Sequence, residues 1–129
     1  MTRSLWWALV WALFIAFLCL TPGTALPQWE WADLLSVDKL VHAVIFGVFT
    51  ALIARGLRQR SATAMSRTRM LVIAGTFSTL YGAGMEVLQE IPELNRQGDL
   101  VDLTANTIGA LSGAWIVKRR WSRTSRAAG

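Results

Sequence analysis

The sequence predicts an all-α membrane protein, a four-transmembrane-helix bundle with its N- and C-termini in the cytoplasm (N-in/C-in). Three observations predict it: four long apolar stretches, basic residues confined to alternate connections, and acidic residues gathered at the opposite ends. The chain has 129 residues, enough for one domain, of which 53% are hydrophobic and 16% charged. A soluble domain of this size scatters its charges along every helix, whereas here they are segregated.

The first stretch, Leu5–Leu20, is unbroken and apolar. Leu40–Ala54 is interrupted only by His42, Gly47 and Thr50; Met70–Leu88 carries one charge, Glu86, and Val101–Val117 carries one, Asp102. At 1.5 Å per residue these runs span roughly 22–28 Å, close to the hydrocarbon thickness of a bilayer. None alternates with the period of a membrane barrel strand. The spans are placed at about 5–20, 40–55, 70–89 and 101–117 of one domain, followed by a basic tail at 118–129.

Orientation follows from the cations. Arg3 precedes the first span; Arg55, Arg58, Arg60, Arg67 and Arg69 lie between the second and third; Lys118, Arg119, Arg120, Arg123 and Arg126 follow the fourth. Only Lys39 and Arg96 lie on the other side, together with all the carboxylates: Glu30, Asp33, Asp38, Glu86, Glu90, Glu93, Asp99 and Asp102. The positive-inside rule therefore predicts a multi-pass protein of the cytoplasmic (inner) membrane. The net charge of +5 is read as an orientation signal with affinity for anionic headgroups, and no nucleic-acid partner is expected. A cleaved leader is the competing reading of the first span, with Arg3 before it and Gly23 and Ala25 after it; its apolar run is longer than that role requires. Cys19 is the sole cysteine, so no internal disulfide forms, and packing is its expected role.

Pro22, Gly23 and Pro27 break the chain after the first span, and Trp29 and Trp31 favour the outer boundary, as Trp6, Trp7, Trp115 and Trp121 favour the inner one. Small residues recur at Gly75, Gly82 and Gly84 on the third span and at Ala105, Gly109 and Gly113 on the fourth. Such faces let backbones approach closely where lipid supplies no hydrophobic drive. Packing of the third span on the fourth is expected, within the chain or as a homo-oligomer through the Gly109/Gly113 face.

Ionisable groups in hydrocarbon are costly unless paired, so those within spans point to function. Asp38, Lys39 and His42 open the second span, with Asp38 and His42 on one face at i,i+4. Glu86 and Gln89 close the third, with Glu90 above. Asp99, Asp102 and Asn106 open the fourth as one stripe, and Arg96 sits just before them. Counted along straight helices, all three groups reach the same level at the outer edge of the membrane.

Taken in order, Asp38-Lys39-x-x-His42, Glu86-x-x-Gln89 and Arg96-x-x-Asp99-x-x-Asp102-x-x-x-Asn106-x-x-Gly109 resemble the signature of the VanZ-like family. These are small bacterial membrane proteins named for a teicoplanin-resistance determinant. The resemblance covers about residues 5–117. It implies the same membrane fold, a site at these positions, and a link to low-level glycopeptide resistance, with no mechanism attached.

The residues themselves leave several functions open. In one, Lys39, Arg96 and a protonated His42 bind an anionic lipid headgroup or cell-wall precursor, with Asp38, Asp99, Gln89 and Asn106 completing the site. In a second, His42, Glu86 and Asp102 are catalytic in a hydrolase or transferase acting on a lipid-linked substrate. In a third, the cluster is a self-satisfied network fixing helix register in a scaffold. Transport is disfavoured because no ionisable group continues into the inner half. No cofactor is expected and no metal motif is present, although oxygen ligands from Glu86, Asp99 and Asp102 would suit a hard cation.

Overall fold

The computed structural model describes residues 1–22, 37–60, 65–94 and 100–127. Over these residues the chain forms α1 (Arg3–Leu20), α2 (Val37–Arg60), α3 (Arg67–Gln89) and α4 (Leu100–Ala127), with a 3-10 turn at Pro92–Leu94. The described residues include no strand, and each of the four helices is long and apolar enough to cross a membrane. Trp29, Trp31, Arg96 and Asp99 lie outside the described residues.

Local chemistry sets the helix starts. Thr2 caps α1 by accepting the Leu5 N–H at 3.4 Å, and Ser66 caps α3 by accepting the Arg69 N–H at 3.2 Å; each satisfies one of the orphan donors of a first turn. Pro92 lacks an N–H and opens the 3-10 turn, which the Leu94 N–H closes onto the Ile91 carbonyl at 3.0 Å.

The helices run up and down. At one end the Thr2 hydroxyl donates to the Gly56 carbonyl at 3.4 Å, and the Ser4 N–H donates to Gln59 Oε1 at 3.3 Å. At the same end Arg67 donates to the Trp121 carbonyl at 3.2 Å and to Ser125 Oγ at 2.6 Å. The Arg58 guanidinium lies 5.0 Å from the centre of the Trp121 ring and joins the two pairs. The opposite end holds the polar groups of α2, α3 and α4.

All four helices exceed their expected bounds, the second and fourth by the most. α2 extends beyond 40–55 in both directions, and α4 continues from 117 to 127, so most of the basic tail is helical. Arg and Lys are good helix formers and need no hydrocarbon around them. Trp121 gives the extension a reason to dock: it is buried, where the sequence suggests a boundary anchor. Trp6, Trp7 and Trp115 do stay on the outside of the bundle.

Large apolar side chains cover the outside as well as the core: Leu13, Phe17, Leu40, Leu80, Val87 and Leu111 point outward, while His42, Thr50, Ser78, Glu86, Gln89, Asp102 and Asn106 are buried among apolar residues. Such an apolar exterior suits lipid rather than water. Inside, Phe46 and Phe49 form the centre with Ile15, Met70 and Ala74. The Phe46 carbonyl accepts both the Thr50 hydroxyl at 2.9 Å and the Ser78 hydroxyl at 3.4 Å.

The small-residue face of α4 is used within the chain, and its partner is α2 rather than α3. A Cβ on Gly109 would collide with the Ala43 backbone carbonyl, and one on Gly113 would collide with that of Gly47. α2 and α4 share the most extensive contact in the bundle. Backbones this close leave no room for a side chain at either glycine.

Candidate functional site

The site lies at the end of the bundle opposite the arginines. α2 supplies Asp38, Lys39 and His42 from its first turns, α3 supplies Glu86 from its last, and α4 supplies Asp102 and Asn106. Because α2 and α4 cross in backbone contact at Gly47, Gly109 and Gly113, the polar residues one to two turns beyond that crossing are forced together.

At the centre is a buried relay. Asn106 donates from Nδ2 to Glu86 Oε1 at 3.2 Å, which leaves its Oδ1 facing His42 Nδ1 at 2.9 Å. With the amide placed so, its oxygen only accepts, and the His42 Nδ1 facing it is the donor. The other ring nitrogen, Nε2, faces Asp38 Oδ1 at 3.9 Å. Beside it Lys39 Nζ approaches Asp102 Oδ1 at 3.6 Å, an ion pair too long for a hydrogen bond. That Oδ1 atom is buried and accepts no hydrogen bond.

Exposure is graded across the cluster. The side chains of Asp38 and Lys39 are 50% and 37% exposed, whereas those of His42 and Asp102 are 6% and 11% exposed. Glu86 and Asn106 are buried behind them. The cluster therefore has a reachable rim and a sealed floor. The described site residues include three carboxylates, Asp38, Glu86 and Asp102, and one lysine, Lys39.

Residues 4–122 match the model of the VanZ/LLP1 family. The chain belongs to that family. No curated protein and no solved structure matches it. The family accounts for a small membrane protein of four apolar helices, as expected from the sequence; the roles of individual residues rest on geometry.

In this VanZ/LLP1 chain the structure brings together His42, Asn106, Glu86, Asp38, Lys39 and Asp102, as the sequence suggests. Gln89 goes elsewhere: its Nε2 donates to the Cys19 carbonyl at 2.9 Å and ties the end of α1 to α3. A polar residue one turn from Glu86 looks like part of the cluster in sequence, but α1 packs on that side.

Gly82 is the residue that sequence reasoning undervalues. A Cβ there would stand 3.2 Å from Asn106 Cβ and Nδ2 and 3.1 Å from Phe46 Cε1, so its missing side chain makes room for the relay amide. The signal was a glycine one turn before Glu86 on a helix with no turn to make. A groove of ≈ 860 Å³ runs between α2 and α4, lined by Ala43, Gly47, Gly113 and Ile116 and ending at Arg55 and Arg120. It reaches the arginine end and does not include the relay residues.

Proposed function

We propose that this protein recognises the phosphate-bearing headgroup of a lipid or lipid-linked cell-wall precursor at the outer boundary of the inner membrane, with both termini in the cytoplasm. The observation that carries the reading is the graded cluster: Lys39 and Asp38 at a reachable rim above the buried His42–Asn106–Glu86 relay. Lys39 supplies a charged donor to phosphate, and His42 Nε2 accepts from a hydroxyl or an acid proton. Arg96 and Asp99 are proposed to complete the rim. Glycopeptide tolerance follows if the headgroup belongs to a wall precursor.

A second reading is favoured by the fixed tautomer of His42. An imidazole whose Nδ1–H is oriented and whose Nε2 faces the open side is arranged as a general base, with Glu86 and Asn106 orienting it. Under that reading the protein is a hydrolase or transferase on the same lipid, with Asp102 beside the reacting group.

Native mass spectrometry of protein purified from membranes tests the first reading. Phosphate-bearing lipid is expected on the wild type and lost on Lys39→Ala, and retention unchanged in Lys39→Ala overturns it. Incubation with lipid-linked precursor separates the second reading, since turnover abolished by His42→Ala identifies an enzyme. A C-terminal tag labelled from outside intact cells would overturn the orientation.

A further inference from the structure

The relay leaves an electrostatic problem on its open side. With Nδ1 protonated toward Asn106, a neutral His42 presents its Nε2 lone pair toward the Asp38 carboxylate, 3.9 Å away. In that form two acceptors face one another. Asp102 Oδ1 is buried and accepts no hydrogen bond, with Lys39 Nζ at 3.6 Å. One ligand atom from each of Asp38, His42 and Asp102 lies within 4.8 Å of the others.

We infer that Asp38, His42 and Asp102 form a binding site for a divalent transition-metal ion of the Zn²⁺ or Mn²⁺ type. One imidazole nitrogen with two carboxylate oxygens is the mixed donor set that such ions take, and it is too nitrogen-bearing for a dedicated Ca²⁺ or Mg²⁺ cage. Tetrahedral bonds of about 2.0–2.2 Å set donors about 3.4 Å apart, so atoms that lie within 4.8 Å of one another must draw together by up to about 1.4 Å. Asp38 supplies that movement, because its side chain is half exposed.

The back of the ring is built as metal sites build it. A ligating histidine donates its other N–H to an acceptor that fixes tautomer and orientation. Here Asn106 Oδ1 accepts it and Glu86 holds Asn106 in turn. The formal charges also suit a cation, since the carboxylates Asp38, Glu86 and Asp102 outnumber Lys39 by two. Lys39 stands in for part of that charge and competes for Asp102. At more than a third exposed, it can swing outward.

Three protein ligands leave a coordination position open on the rim side, as in catalytic rather than structural sites. There the ion would take a phosphate oxygen and offset the excess of carboxylates over cations. That last role rests on the headgroup reading; occupancy by the ion does not.

The test uses the full-length protein in detergent, stripped with chelator and titrated with Zn²⁺ or Mn²⁺ alone, read by calorimetry and by metal content after desalting. One ion per chain is expected, with affinity reduced at least about tenfold by His42→Ala and by Asp102→Asn, and by a similar factor in Asn106→Ala, which removes the acceptor that orients the ring. Lys39→Met removes no ligand and is expected to tighten binding, which keeps the inference testable if Asp102→Asn misfolds. Less than about one-tenth of an ion per chain, affinity unchanged in His42→Ala, or weaker binding in Lys39→Met overturns it. Lipid retained through Lys39 in the presence of chelator, with no ion bound, would remove the ion while leaving the headgroup reading intact.

Discussion

His42 Nδ1 and Asn106 Oδ1 meet at 2.9 Å across 64 residues of sequence, both in the interior of the bundle. That bond joins α2 to α4, and the second bond of the Asn106 amide, to Glu86, brings in α3. One amide therefore closes three helices around an imidazole. Each group in it is costly to leave alone in a dry interior.

Asn106→Ala strands the His42 ring N–H and takes one hydrogen bond from the Glu86 carboxylate. A loss of about 1–3 kcal/mol is expected for the stranded ring N–H. Glu86→Gln is the milder change, because a glutamine carbonyl still accepts from Asn106. Its stability should stay within about 1 kcal/mol of the wild type, while ligand binding falls. Denaturation in mixed micelles measures both; equal losses in the two variants would mean that the network serves register alone.

Gly82 and Gly84 form a matched pair on α3. Ala at position 82 presses on Asn106 and Phe46, whereas Ala at position 84 meets nothing within 4 Å. Gly82→Ala should cost about 1–3 kcal/mol through overpacking and weaken ligand binding with it. Gly84→Ala should be neutral or stabilising by up to about 1 kcal/mol through helix propensity. Parallel thermal melts check the contrast.

Gly109→Ala and Gly113→Ala drive a methyl group into the backbone of α2. Neither can be relieved by a side-chain rotation, so losses at or above about 3 kcal/mol are expected and the site should come apart with the crossing. Gly75→Ala, with open space around it, is the control. Cross-linking of cysteines placed at positions 42 and 106 would report the separation.

Gln89→Leu removes the bond to the Cys19 carbonyl and leaves the relay untouched. Lower stability by about 1 kcal/mol and faster hydrogen exchange near the end of α1 are expected, with ligand binding unchanged. A loss of binding equal to that of Glu86→Gln would place Gln89 in the site after all.

The sequence by itself determined the four helices, because an apolar run of membrane length satisfies its own backbone only as a helix. It also determined the level of the polar cluster, since rise per residue converts position into depth. Asp38, His42, Glu86, Asp102 and Asn106 were therefore legible as companions before any geometry was known.

What only the tertiary structure decided was which faces meet. Gly109 and Gly113 could have served α3 or a second chain; the shape of α2 at Ala43 and Gly47 claimed them. Gln89 was at the right depth and faced the wrong neighbour. Trp121 was placed at a boundary and is instead packed in the apolar core, with the Arg58 guanidinium over its ring. Periodicity gives each helix a set of faces, but their rotation is set by close packing between helices. That rotation brings Asp102 of α4, whose Oδ1 accepts no hydrogen bond, up to Lys39 and His42 of α2.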